Sequence, residues 1–201
     1  YRYYDTAHVP VLFPFGHGLS YTTFEYRDLR AQAQKDSAKI IFKIKNAGNR
    51  TGKEAAQVYV RDVESSHFRP VKELKGFVKV HLNPNEEKEV TIELDRRDFS
   101  FYDVGKKEWV LEAGDFEIMV GASSQHIRLT TSLWLDSDQQ ASVCTDKAAL
   151  ASYFSVTPAP ISRDAFAALY GKSLPENVTP QKGSYTLNTP FGDMKDSWLA
   201  H

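Results

Sequence analysis

The stretch "KELKGFVKVHLNPNEEKEVTIELD", residues 72–95, alternates between apolar and polar positions twice, with a break in the middle. Leu74, Val78, Val80 and Leu82 fall on one side of an extended chain, Gly76 shares that side, and charged or polar residues fill most of the other. Pro84 and Asn85 close the first run, and Val90, Ile92 and Leu94 resume the alternation. Successive side chains of a strand point to opposite faces, so a period of two is what a half-buried sheet requires.

The same period continues outward in both directions. Toward the start, "KIIFKIKNAG" sets Ile40, Phe42 and Ile44 against Ile41, Lys43 and Lys45, then ends in the turn residues of positions 46–49. "EAAQVYVRD" sets Ala56, Val58 and Val60 inward, which puts Gln57, Tyr59 and Arg61 on the outward face. Toward the end, "GDFEIMVGAS" alternates through Phe116, Ile118 and Val120, and "HIRLTTSLWL" through Ile127, Leu129, Thr131 and Leu133. With "TTFEYRDLRAQ" and "KKEWVLEAG", about seven or eight short strands separated by turn signals occupy residues 19–135. That number and spacing predict a mostly β chain, an antiparallel β-sandwich of immunoglobulin or fibronectin type III type. The strand–helix alternation of a parallel doubly wound sheet is missing.

Beyond residue 136 the texture changes to a small helical extension. A polar link leads through "SVCTDKAALASYF" into a short helix that Pro158 and Pro160 end. "ISRDAFAALYGKSLP" predicts a capped helix, with Ser162 at the N-cap, Asp164 in the first turn, Phe166, Leu169 and Tyr170 on one face, and Gly171 past the end. A last helix is expected from Thr189, with Pro190 in first position and Met194, Trp198 and Leu199 as its apolar stripe. Residues 136–201 are too short to form a core of their own, so the extension is expected to lie on the sandwich or on a partner domain.

The 201 residues carry a net charge of -1, 41% hydrophobic and 25% charged side chains, a balance that excludes disordered and nucleic-acid-coating classes. No apolar run reaches membrane-spanning length, and "YRYYDTAHVP" has no signal-peptide pattern, so neither nucleic acid nor membrane is expected as a partner. Without an initiator Met, the chain reads as a piece of something longer. The single Cys144 has no internal disulfide partner, which favours a reducing, cytoplasmic setting and leaves a secreted parent open. With no neighbouring histidine, Cys144 reads as an inert thiol.

Nothing in the chain specifies a complete active site. Glu54, Glu86, Glu87, Glu89, Glu93, Asp95 and Asp98 fall on polar strand faces or in turns, not as a catalytic pair. The six histidines lack metal-site spacing, and nucleophile-elbow and phosphate-loop motifs are missing, so no catalytic residue, metal or cofactor is expected. Asn177-Val178-Thr179 matches a glycosylation sequon but is followed by Pro180 and reads as coincidence. The long break at residues 62–73 offers His67, Phe68 and Arg69 as candidate contacts to sugar or protein, the alternative being that the loop packs on its own sandwich.

Taken in order, "YRYYD", "LFPFGHGLSYTTFEY", "AAQVYVRDVESS", "RPVKELKGFVKVHLNPNEEKEVTIELDRRDFSFYD", "WVLEAGDFEIMVGASS" and "IRLTTSL" resemble the carboxy-terminal part of glycoside hydrolase family 3, the β-glucosidase group, over residues 1–135. The resemblance implies a fibronectin type III-like domain that follows two catalytic domains of a retaining β-glucosidase. In that family an (α/β)₈ barrel supplies the nucleophilic Asp and an α/β sandwich usually the acid/base Glu. No carboxylate here aligns with either motif, so no catalytic role carries over and this piece is not expected to hydrolyse glucosides alone. Residues 1–18 then resemble the connector from the α/β domain, with Tyr3, Tyr4, Phe13, Phe15, His17 and Tyr21 as candidate domain-interface residues. The implied partners are the parent's own barrel and α/β domains. In the separated piece, exposed aromatic rings would favour association into a homodimer.

Two other functions fit a sandwich. A carbohydrate-binding module would need Tyr59, Phe68, Trp109 and Trp134 to converge on a flat platform, and a free-standing interaction domain needs no particular site.

Overall fold

The alternating runs become paired strands in the computed structural model, which describes residues 1–35, 37–142, 148–155, 161–176 and 180–194. Among these are β1 (Phe24–Ala33), β2 (Ser37–Asn46), β3 (Gly52–Asp62), β4 (Glu73–Leu82), β5 (Glu87–Asp95), β6 (Phe101–Asp103), β7 (Glu108–Val110), β8 (Gly114–Gly121) and β9 (Ile127–Leu135). One sheet has the order β1-β2-β5, the second β4-β3-β8-β9, and β6 and β7 form a small hairpin. Every pairing is antiparallel. The two alternating runs of residues 72–95 are not a hairpin: β4 pairs with β3 in one sheet and β5 with β2 in the other. The turn at residues 83–86 carries the chain between layers, with Asn85 in the left-handed region at φ 63° and its N–H donating to the Asn46 carbonyl at 2.9 Å.

The inward faces meet in one core that includes Ile40, Phe42, Ile44, Val58, Phe116 and Ile118. Each such side chain removed from water stabilises the fold by about 1.5–3 kcal/mol before entropy is counted. Asn46, fully buried at the end of β2, has its side-chain groups satisfied. Its amide donates to the Arg50 and Leu82 carbonyls, and its oxygen accepts from the Thr22 hydroxyl and the Gly48 N–H.

The outward face of the first sheet is solvated and charged. Arg27 pairs with Glu87, Arg30 with Glu89, Lys43 with Asp28 and Lys39 with Glu93 across its three strands. Exposed pairs of this kind contribute about 0–1 kcal/mol each, and they suit a face that meets water.

Four short helices accompany the strands: α1 (Arg2–Thr6), α2 (Arg96–Phe99), α3 (Ala151–Phe154) and α4 (Arg163–Tyr170). A capping box explains α2, since Asp95 accepts from the Asp98 N–H while the Asp98 carboxylate accepts from the Asp95 N–H. The chain divides into two compact units, residues 1–161 and 162–201. Within the second, α4 has the expected caps: the Ser162 hydroxyl accepts from the Ala165 N–H at 3.1 Å, and Gly171 takes φ 72°. Of the helix expected from Thr189, the described residues form a 3-10 turn over Phe191–Met194, following Pro190. Cys144, Pro158, Pro160, the 177–179 sequon, Trp198 and Leu199 lie outside the described residues.

Candidate interaction surface

Five consecutive residues of β3, Ala56 to Val60, are buried, so both faces of this strand are covered. Tyr59 is therefore not outward as its place in the alternation predicts. It is 0% exposed. The cover comes from the first residues of the chain. The Tyr1 ring meets Tyr59 edge-on at 6.1 Å, and Phe15 stacks on Tyr1 at 4.4 Å. The Tyr1 hydroxyl accepts from the Leu74 N–H at 2.8 Å, and the Phe15 carbonyl accepts from the Ser124 N–H at 2.9 Å.

Gln57 joins the cover to the sheet. Its amide donates to the Gly16 carbonyl at 3.1 Å and to the Ala122 carbonyl at 2.9 Å, while its oxygen accepts from the Tyr59 hydroxyl at 2.5 Å. Gly16 sits at φ +78°, and a Cβ there would stand 2.1 Å from the Gln57 Oε1, so both conformation and space require glycine. Burial raises the Tyr59 phenol well above its usual range, and the neighbouring Tyr1 and Asp5 reinforce the shift.

The α1 end is held by polar contacts. The Thr6 hydroxyl accepts from the Val71 N–H at 3.0 Å, and Arg2 pairs with Glu73 at 3.2 Å. Asp5 is buried, accepting from the Gln125 amide at 3.0 Å and lying 3.3 Å from the Lys72 ammonium. Burial alone would raise its carboxyl, but the Gln125 hydrogen bond, the neighbouring Ser124 hydroxyl and the Lys72 charge hold it below the usual carboxylate range.

The cover leaves apolar side chains facing water. Phe13 is 64% exposed, Leu19 94% and Tyr21 92%, and Tyr3, Tyr4 and the β4 residue Phe77 are exposed as well. His17 is exposed with its ring stacked on Phe13 at 5.3 Å. All six residues expected at a domain interface are exposed: Tyr3, Tyr4, Phe13, His17 and Tyr21 stand on the outside of the cover, and Phe15, 45% exposed, also stacks one face on Tyr1.

The sequence leaves the loop at residues 62–73 open to two readings, an exposed contact or a segment packed on its own sandwich, and its side chains are largely engaged within the chain. The Arg69 side chain is only 9% exposed; it donates to Asp62 and to the Phe99 carbonyl, both at 3.0 Å, and lies 3.6 Å from Glu73. It is a buried clamp, not a reaching contact. Burial raises the Asp62 carboxyl, with Glu112 nearby adding to the shift and Arg69 opposing it. His67 is half-buried, bonded to the Ser66 hydroxyl at 2.9 Å and tilted over Phe101 at 4.9 Å. Phe68 keeps an exposed edge but packs edge-on against Tyr153 and Phe154 of α3, at 6.0 and 6.4 Å. Glu112 ties the loop down by accepting from the Ser66 N–H at 3.0 Å. With Tyr59 buried and Phe68 engaged by α3, a four-ring sugar platform does not form.

The segment after β9 is likewise a strap rather than a free link. Arg96 donates to Ser137 and Gln139, and the Gln139 side chain accepts from the Leu111 N–H at 3.0 Å. Asp103 in the β6–β7 turn accepts from the Gly105 and Lys106 N–H groups and from both the hydroxyl and the N–H of Ser142, the last two at 2.6 Å. The roles of Tyr1, Gln57 and Glu112, and the hold of Asp103 on Ser142, leave no local sequence signal, because each depends on a partner distant in the chain.

Comparison with known proteins agrees with this architecture. Residues 54–124 match the fibronectin type III-like domain model. The chain is 52% identical over 141 residues to thermostable β-glucosidase B of Acetivibrio thermocellus, covering 68% of the chain and 19% of that protein. It is 48% identical over 134 residues to β-glucosidase BoGH3A of Bacteroides ovatus, covering 65% and 18%. Among solved structures, β-glucosidase 3B of Thermotoga neapolitana in complex with α-D-glucose superposes with a TM-score of 0.65 at 42% identity, over 68% of this chain and 19% of that one. The chain spans about a fifth of the length of the curated relatives it matches. The two-sheet sandwich, the match to the domain model and this identity together identify the chain as a fibronectin type III-like domain of the kind carried by family 3 β-glucosidases.

Proposed function

We propose that the chain is a non-catalytic domain that docks on and orients the catalytic domains of a retaining β-glucosidase, an enzyme that removes terminal β-glucosyl residues. Residues 1–18 are the connector, residues 19–135 the sandwich, and residues 136–201 an extension that braces the sandwich or a partner domain. The observation that carries the reading is the asymmetry of the two outward faces. One is a ladder of ion pairs suited to water. The other lies under a cover anchored by Tyr1, Phe15 and Gln57, whose own outer side presents Tyr3, Tyr4, Phe13 and Tyr21. Exposed aromatic side chains concentrated on one connector support a docking role, because burying each against a partner contributes on the order of 1.5–3 kcal/mol.

The test compares this chain with the parent-length enzyme on an aryl β-glucoside. The chain alone should not hydrolyse it. The parent carrying Phe13→Ser with Tyr21→Ser should melt at a lower temperature, while the same substitutions leave the melting of the isolated chain unchanged. Hydrolysis by the chain alone, or parent melting indifferent to the pair, would overturn the reading.

A further inference from the structure

We infer that the cleft between the β1–β2 turn and the end of β9 is a secondary carbohydrate site that takes a short β-linked glucose oligosaccharide. The cleft has a volume of about 340 Å³. Small-molecule sites fall at roughly 300–1,000 Å³, mostly apolar with a few placed polar groups. Its lining includes the buried apolar residues Phe99, Leu111 and Leu135. Trp134 also lines it, 60% exposed on the outward face of β9, where it alternates with the buried Leu133 and Leu135. The flat π face of an indole matches the C–H face of a pyranose.

The rim supplies what the edge of a sugar ring needs. Gln34, Lys35, Arg96 and Asp136 line the cleft beside Trp134, giving amide, ammonium and guanidinium donors and a carboxylate acceptor. Two of these are held in place already. The Gln34 oxygen accepts from the Ser37 hydroxyl at 2.9 Å, which leaves its NH₂ group as donor. Arg96 is fixed through Nη2 by Ser137 and Gln139, at 3.1 and 3.2 Å, and retains further N–H groups. Preorganised donors around an aromatic wall fit a neutral, polyhydroxylated ligand better than an apolar one, whose arrival would bury the rim unpaired. The site shares none of the residues of the connector cover.

The choice of glucose rests on the proposed β-glucosidase parent; the class, a sugar, rests on the cleft itself. The test titrates cellotetraose into this chain and follows the Trp indole N–H resonances. Trp134 should shift with a Kd on the order of 1 mM, while Trp109 does not move. Trp134→Leu, which keeps apolar bulk at an exposed strand position, should abolish the effect without changing the melting temperature, and Gln34→Ala should weaken it several-fold. No shift, a shift that follows Trp109, a shift that survives Trp134→Leu, or binding of p-nitrophenol without cellotetraose would overturn the inference. Should a xylo-oligosaccharide bind in place of cellotetraose, the glucose assignment fails. The outcome is independent of whether the parent-length enzyme cleaves aryl glucosides, so the two proposals fail separately.

Discussion

Replacing Tyr59 by alanine separates a covered β3 from an exposed one. Were Tyr59 outward, as its place in the alternation predicts, the substitution would change stability by no more than about 0.5 kcal/mol. With the ring fully buried between the sheet and Tyr1, the loss is that of a large aromatic removed from a packed site, about 3–5 kcal/mol. Tyr59→Phe removes only the hydroxyl that donates to Gln57, a loss of about 1 kcal/mol. At roughly 2–4 °C per kcal/mol for a chain of this size, the alanine variant should melt roughly 6–20 °C lower and the phenylalanine variant a few degrees lower. Urea denaturation gives the free energies directly. Hydrogen exchange at the Ser124 N–H, which donates to the Phe15 carbonyl, tells whether the cover loosens first. An alanine variant as stable as the parent sequence, with Ser124 exchange unchanged, would refute the covered-face argument.

Asp103→Ala should destabilise the chain by about 1–3 kcal/mol at neutral pH, since it strands the donors of Gly105, Lys106 and Ser142. Hydrogen bonds from Ser142 first, and from the turn N–H groups, hold the Asp103 carboxyl below its ordinary value of 3.8. Its contribution is therefore complete above about pH 4 and fades as pH falls toward the folded value, so the gap between variant and parent sequence should narrow in acid melts. Arg69→Ala leaves Asp62 buried without its cation and should cost about 3–5 kcal/mol by urea denaturation, where a surface arginine would cost almost nothing. Phe13→Ser with Leu19→Ser should leave folding stability within about 0.5 kcal/mol and reduce self-association of the isolated chain by sedimentation.

What was legible in the sequence, and what was not, follows the range of the interaction involved. Ile40, Phe42 and Ile44 declare a strand because burial on one face repeats every second residue, and Ser162 and Gly171 declare the ends of α4 because a cap is satisfied within a few positions. Layer assignment is not carried by such patterns. β4 and β5 show the same period and adjoin in sequence, yet each finds its pairing partner elsewhere, β3 for one and β2 for the other. The candidate site was legible only as a set of rings. Which of them would be structural depended on Tyr1, with Phe15 stacked on it, reaching Tyr59 more than fifty positions on, and on Arg69 closing onto Asp62 and Phe99, contacts with no local period. The same logic explains why β3 misleads: its Gln57 and Tyr59 look like the polar-tolerant outer face of an ordinary strand, and they become core only when the connector lies across them. Under the proposed docking role, a domain whose second face is completed by residues 1–16 has its stability and its attachment joined in one contact. Loosening the cover should therefore weaken folding and docking together, whereas changing the outer rings should touch docking alone.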